Sequence, residues 1–179
     1  MAIIEVSAGH YPDKPGASYS GFSEHQEALL WATLVRDKIG SMAGLVPVGR
    51  LSEKVAHINS QKECHLAVEI HFNSAKDADG NHIGDGSETL YHPKSTTGHN
   101  AALIVQRHLS SVCGPNRGAR PGWYQGDPEK GAIYFLDKTR VPALIIEPEF
   151  IHRLDEIVPV REDACEAIAA ALVEIVQQL

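Results

Sequence analysis

The stretch LAVEIHFNS, from Leu66 to Ser74, constrains the fold of this chain more than any other. Leu66, Val68, Ile70 and Phe72 alternate with Ala67, Glu69, His71 and Asn73, the period of two by which successive side chains leave opposite faces of a sheet. The pattern predicts a buried strand that ends at His71. In open α/β sheets the ligand crevice lies beyond the carboxyl ends of the strands, so a histidine there is placed for chemistry rather than packing. Two other apolar runs end in the same way. IIEV, from Ile3 to Val6, leads through Ser-Ala-Gly to His10, and ALII, from Ala143 to Ile146, leads into Glu147.

Helical patterns separate these strands. Ser23 stands as an N-cap with Gln26 in the capping-box position, ahead of Ala28, Trp31, Ala32, Val35 and Ile39 at helical spacing. A short strand over Leu45 to Val48 precedes a helix that Ser52 can cap, with Val55, Ile58 and Asn59 along it. After the central strand come a polar turn-rich segment, a strand from Glu88 to Tyr91 and a helix from Gly98 to Val112. The stretch from Gly114 to Gly131 reads as a long loop that either covers a site or is disordered, carrying Arg117, Arg120, Trp123 and Tyr124. A strand over Ala132 to Leu136, the strand ending at Glu147 and an amphipathic helix from Arg161 to Leu179 complete the pattern. Strands alternating with helices predict one α/β domain over residues 1–179, a three-layer fold whose largely parallel, twisted sheet has helices on both faces.

Charge and cysteine content narrow the partners. A formal charge of −7 without a basic cluster argues against nucleic acid, whose phosphates need a basic face. Cys64, Cys113 and Cys165 are isolated and odd in number, which fits neither a disulfide framework nor a CxxC zinc pair; Cys165 falls on the apolar stripe of the last helix. MAIIEVSAGH lacks the basic start and apolar length of a signal peptide, and no apolar run reaches the roughly 20 residues that span a bilayer. The expectation is synthesis in the cytoplasm, no membrane insertion and a monomer.

Two histidines and a carboxylate around an open position form a common catalytic zinc set. His10 and His71 supply the imidazoles. Glu24, opening the first helix, is the first candidate for the carboxylate and Glu27 its rival. Glu147, at the end of a strongly apolar strand, is the candidate base; its structural alternative is an ion pair with Arg140 or Arg120, and Glu149 is a second carboxylate nearby. The run DADGNHIGDGSE has oxygen-bearing residues near calcium-loop spacing, but His82 replaces the required glycine and no helix precedes it, so it reads as a solvated loop. His25, His57, His65, His99, His108 and His152 lack a surrounding motif and read as surface or half-buried residues. His82 and His92 flank a strand near the crevice, and Trp123 and Tyr124 can either stack on a sugar or peptide or anchor their own loop.

On these residues the sequence resembles the zinc-dependent N-acetylmuramoyl-L-alanine amidases of the amidase_3 type, which cleave peptidoglycan. SAGHYPDKPGASYSG resembles the family's opening DPGHGGxDxGAxG, keeping Gly9, His10, Asp13, Gly16, Ala17 and Gly21. Glu24 matches the glutamate entering a helix, LSEKVAHIN the LxxRxxxAN run, EIHFNS the S-I-H-x-N-A strand, GSETLYH the G-x-E-x-x-Y strand, NRGAR the R-G run and PALIIEPEFI the P-A-V-L-V-E-x-G-F-I run. Ser7 and Ala8 stand in place of Asp-Pro, Tyr11 and Pro12 in place of two glycines, and Glu149 in place of a glycine. The resemblance implies Zn²⁺ held by His10, Glu24 and His71, Glu147 as general acid and base, and peptidoglycan as the substrate. Asn73, Arg120, Trp123 and Tyr124 are the candidate substrate contacts. With no export signal and no separate wall-binding domain read in the sequence, the expectation is a phage or prophage lysis enzyme that reaches the wall through another factor. The competing readings are a zinc hydrolase of a different amide and a wall-binding module without catalysis.

Overall fold

The computed structural model describes residues 3–179; Met1 and Ala2, part of the run read for a signal peptide, lie outside them. The strands are β1 (Ile4–Ala8), β2 (Ser18–Tyr19), β3 (Phe22–Ser23), β4 (Ala43–Leu45), β5 (Leu66–Ile70), β6 (Ala75–Lys76), β7 (His82–Ile83), β8 (Ser87–Tyr91), β9 (Asn116–Pro121) and β10 (Ala143–Glu147). The α-helices are α1 (Glu24–Ile39), α2 (Leu51–Ser60), α3 (Thr96–Leu109), α4 (Tyr134–Lys138), α5 (Leu154–Ile157) and α6 (Arg161–Val176). Six strands form one sheet in the order β4-β1-β5-β10-β8-β9, while β2-β3 and β6-β7 are small separate hairpins. The α/β architecture is the one expected, with helices covering both faces of a mostly parallel sheet.

Register explains the core. Val6 and Leu144 both pair with Val68, and Ile70 pairs with Ile146, so one face presents a continuous apolar layer with no solvent exposure. That layer packs against Trp31 and Val35 of α1, Val105 of α3, and Ile168 and Leu172 of α6. Trp31 meets Phe72 edge to face at 5.3 Å. The opposite face is smaller, with Ala67 and Ile145 covered by Val55 and Ile58 of α2 and Phe135 of α4. Cys165 is fully buried, as its place on the apolar stripe predicts.

Several local expectations differ from the structure. Ser23 occupies the N-cap of α1 without a side-chain capping bond. Ser52 lies inside α2, whose cap is Arg50, with its N–H donating to Glu53. The fourth strand lies at Ala43–Leu45, earlier than Leu45 to Val48. Ala132 to Leu136 is not a strand: Tyr134–Lys138 is helical, and Thr139 Oγ1 donates to the Phe135 carbonyl. A short apolar run without a clear period fits either state, and here packing decides. The segment Gly114 to Gly131 is not all loop, because β9 lies within it, parallel to β8. Gly118 and Pro121 are tolerated there because β9 is an edge strand. The β8 end of the sheet is tied to α3 by buried Gln106, whose amide bonds the hydroxyls of Ser87 and Thr89 at 3.2 and 2.8 Å. Among the described residues no helix is long and apolar enough to cross a membrane.

Candidate functional site

Three segments converge at the carboxyl ends of β1 and β5. His10 follows β1 in a left-handed backbone conformation, φ 59°, uncommon for a residue with a side chain. A small bridge between Tyr11 and Lys14 closes the loop behind it. Such strained positions persist where the surroundings fix them, as they do at binding sites. Glu24 enters from the first turn of α1, and His71 follows directly on β5.

Glu24 is clasped between the two imidazoles. Its Oε2 lies 3.1 Å from His10 Nε2 and its Oε1 2.9 Å from His71 Nδ1. The Ala17 N–H donates to Oε2 at 2.9 Å and the Phe72 N–H to Oε1 at 3.3 Å. Burial alone would raise this carboxyl's pKa, but hydrogen bonds from His10 and His71 and the charge they carry hold it well below the usual carboxylate range. Burial likewise opposes charge on His71, yet Glu24 and Glu69 overcome it and lift the imidazole to about 10. The ligand atoms of His10, Glu24 and His71 lie within 4.8 Å of one another, so one cation could take all three. Two glycines make that approach possible. A Cβ on Gly16 would fall 2.5 Å from Glu24 Oε2, and one on Gly9 would fall 2.6 Å from the His71 ring.

The neighbouring strand supplies a carboxylate of another kind. The His71 N–H donates to the Ile146 carbonyl at 2.9 Å, which sets Glu147 beside His71. Glu147 Oε2 is buried and, among the described residues, has no hydrogen-bond partner. Burial pushes the carboxyl up to about 7; the charge on His71 works against the rise, Glu88 and Glu24 add to it, and Arg117 opposes it. The alternative reading, an ion pair with Arg140 or Arg120, is not formed. Arg120 instead reaches Glu88 at 3.4 Å, beside Arg117 at 3.2 Å. Glu88 pairs directly with Glu147 across the ladder and takes a hydrogen bond from Asn73 at 2.7 Å.

The rival carboxylates are engaged elsewhere. Glu27 pairs with Arg161 at 2.9 Å, and Glu149 accepts from the N–H groups of Gly86 and Phe150. Trp123 and Arg120 line a cleft of about 350 Å³ with Asn73, Glu88, Arg117 and Gly122, whereas Tyr124 is 53% exposed. Asp77 accepts from Asp79 and Asn81 within the β6–β7 turn, the solvated loop expected. His25 is buried rather than superficial, with Nδ1 3.0 Å from the Gly9 carbonyl. His82 and His152 stand 5.5 Å apart beside Tyr19. Four residues around the cluster were not among the candidate site residues: Lys54, Glu69, Glu88 and Arg117. Lys54, Glu88 and Arg117 each stand in a run that carries the resemblance, LSEKVAHIN, GSETLYH and NRGAR, and the alternation of the strand puts Glu69 on the same face as His71.

A family model described as N-acetylmuramoyl-L-alanine amidase matches residues 4–178. No curated protein sequence matches the chain. Among solved structures, the catalytic domain of the amidase CwlV from Bacillus (Paenibacillus) polymyxa superposes with a TM-score of 0.80 at 19% identity, over 99% of each chain. The amidase AmiC2 of Nostoc punctiforme gives 0.78 at 22%, over 98% of this chain and 97% of that one. The catalytic domain of the CD27L endolysin targeting Clostridia difficile gives 0.72 at 24%, over 98% and 96%. At these identities the likenesses establish the fold.

Proposed function

The chain belongs to the N-acetylmuramoyl-L-alanine amidase family, and on that premise we propose that His10, Glu24 and His71 hold a Zn²⁺ ion beside which Glu147 serves as general base and acid. The observation that carries this reading is the contrast within one crevice. One carboxylate is clasped by two imidazoles and kept ionised; the next has a bare oxygen and a pKa close to neutrality.

The donor set suits the ion. Two imidazole nitrogens and one carboxylate oxygen are a recurrent catalytic zinc set, and the glycine positions leave room for the three side chains to meet. When bound, zinc supplies Lewis acidity toward the scissile carbonyl and lowers the pKa of a water to about 7. The remaining work falls to the chain. Glu147 takes a proton from the attacking water and returns it to the nitrogen of L-alanine, which leaves poorly unless protonated. A carboxyl with a pKa of about 7 can do both near neutral pH.

The cleft beyond Glu88 supports contacts to the substrate from Asn73, Arg120 and Trp123, with Tyr124 at its exposed margin. Peptidoglycan, the substrate of the family, is also the proposed substrate here. The proposal takes residues 1–179 as a single catalytic domain acting as a monomer. A lysis role, like that named for the endolysin neighbour, is part of the proposal.

The test is metal removal. After chelation, release of stem peptides with free L-alanine amino termini from purified peptidoglycan should stop, and stoichiometric zinc should restore it. Full activity in the metal-free protein would overturn the reading.

A further inference from the structure

Behind His71 lies an ion pair that the proposed reaction does not use. Glu69 and Lys54 side chains are each 3% exposed, and Lys54 Nζ stands 2.5 Å from Glu69 Oε1. The pair joins two elements, α2 and β5, beneath the crevice. Lys54 has further partners: it donates to the carbonyl of Ala8 at 2.7 Å and, at 3.4 Å, to the carbonyl of His10 itself. Glu69 Oε1 also accepts from Ser7 Oγ at 3.3 Å, while its Oε2 lies 3.0 Å from His71 Nε2. One ammonium therefore holds the backbone that carries His10 and, through Glu69, the ring of His71.

This wiring has a chemical consequence for His71. A neutral imidazole carries one N–H, and the hydrogen bond made by one nitrogen decides which nitrogen is left with a free lone pair. His71 stands between two carboxylates, Glu24 at Nδ1 and Glu69 at Nε2; a cation held at Nδ1 would replace the proton there, and Glu69, acceptor-only when ionised, would keep the one on Nε2. The lone pair then sits on Nδ1, the nitrogen aimed at Glu24. A buried ion pair is weak as a device for stability alone, because well-packed apolar residues often do as well or better. Its three-way connection to both histidines gives it a different use.

We propose that Lys54 and Glu69 are positioning residues for the metal: Glu69 fixes the tautomer and orientation of His71, and Lys54 fixes Glu69 together with the loop of His10. The inference rests on the assignment of His10, Glu24 and His71 as ligands. It adds that their geometry is set before the cation arrives, by side chains that never touch it. Partners of this kind are worth roughly 10–100-fold in metal affinity.

The experiment is a zinc titration of the metal-free full chain against a fluorescent chelator, for wild type, Glu69→Gln, Glu69→Ala and the apolar double variant Lys54→Met/Glu69→Leu. Alongside it, imidazole ¹⁵N shifts of His71 are read at a pH where the ring is neutral in the variants. The double variant leaves no charge stranded, so it should unfold thermally no earlier than wild type while binding zinc about 10–100-fold more weakly. Glu69→Gln can still accept a hydrogen bond and should fall between wild type and Glu69→Ala. In metal-free Glu69→Ala the ¹⁵N shifts should report the Nδ1–H tautomer, held by Glu24 alone. Folded variants that bind zinc as tightly as wild type would overturn the proposal while leaving the ligand assignment standing. A wild type that takes up no zinc would instead sink the ligand assignment, and this inference with it.

Discussion

Glu24, which opens α1, and Glu147, which ends β10, are the same residue type at one crevice, yet the structure treats them in opposite ways. Glu24 takes bonds from two imidazoles and two backbone N–H groups, which hold its carboxyl well below the usual carboxylate range. Glu147 keeps a buried oxygen that has no partner among the described residues, and it faces a second carboxylate, Glu88, across the ladder. One is built to hold a positive charge and the other to pass a proton. The difference comes from what surrounds each carboxyl group, not from the group itself.

Breaking the first member of the comparison should have the largest effect. Glu24→Ala removes the carboxylate shared by both imidazoles, and the expected outcome is loss of bound zinc and of amide cleavage down to the uncatalysed background. Metal analysis of the purified variant, beside a peptidoglycan digestion assay, checks it.

The second member makes a prediction about stability with a definite sign. Glu147's folded pKa is raised from 4.5 to about 7, so the fold disfavours its ionised form. The penalty is absent below pH 4.5, grows through the window from 4.5 to 7, and is full above it. In the metal-free protein Glu147→Gln should therefore be more stable than wild type at pH 8, by up to roughly 3 kcal/mol, and should lose that advantage at pH 4. Thermal unfolding at the two pH values measures it, and equal differences at both would contradict the assignment.

Glu88→Gln sharpens the comparison further. Removing the facing negative charge, and freeing Arg117, should move the ascending limb of the kcat/KM profile to lower pH by up to about one unit. A limb that stays in place would show that Glu88 does not tune Glu147. The smallest effect is expected at the cleft wall, where Trp123→Ala should raise KM a few-fold at nearly constant kcat, as expected for a contact made equally in the ground and transition states.

Legibility in the sequence divides along the same line. The strands that present His10, His71 and Glu147 announce themselves by apolar runs ending in reactive residues, and the open α/β rule places those ends at a crevice. Glu24 follows from its place at the start of a helix close behind His10. The other side of the site depends on pairings between distant segments. Arg120 looked available to Glu147, but the parallel pairing of β9 with β8 carries it to Glu88, 32 positions away in the chain. That strand is hidden in a glycine- and proline-rich stretch that has the composition of a loop and is tolerated only at a sheet edge. Glu69 lies on the predicted face, but its partner Lys54 comes from α2, and only packing brings the two together. The short apolar run before β10 reads equally as strand or helix until Phe135 is seen buried against the sheet.

The central claim is that Glu147 moves the proton while His10, Glu24 and His71 keep the metal. It is tested most directly by digesting purified peptidoglycan with wild type and Glu147→Gln, each assayed for bound zinc and for newly exposed L-alanine amino termini. The account predicts equal zinc in both proteins and a rate of amine release lower by about 10²–10⁴-fold in the variant. A variant that retains zinc and cleaves at the wild-type rate would contradict it.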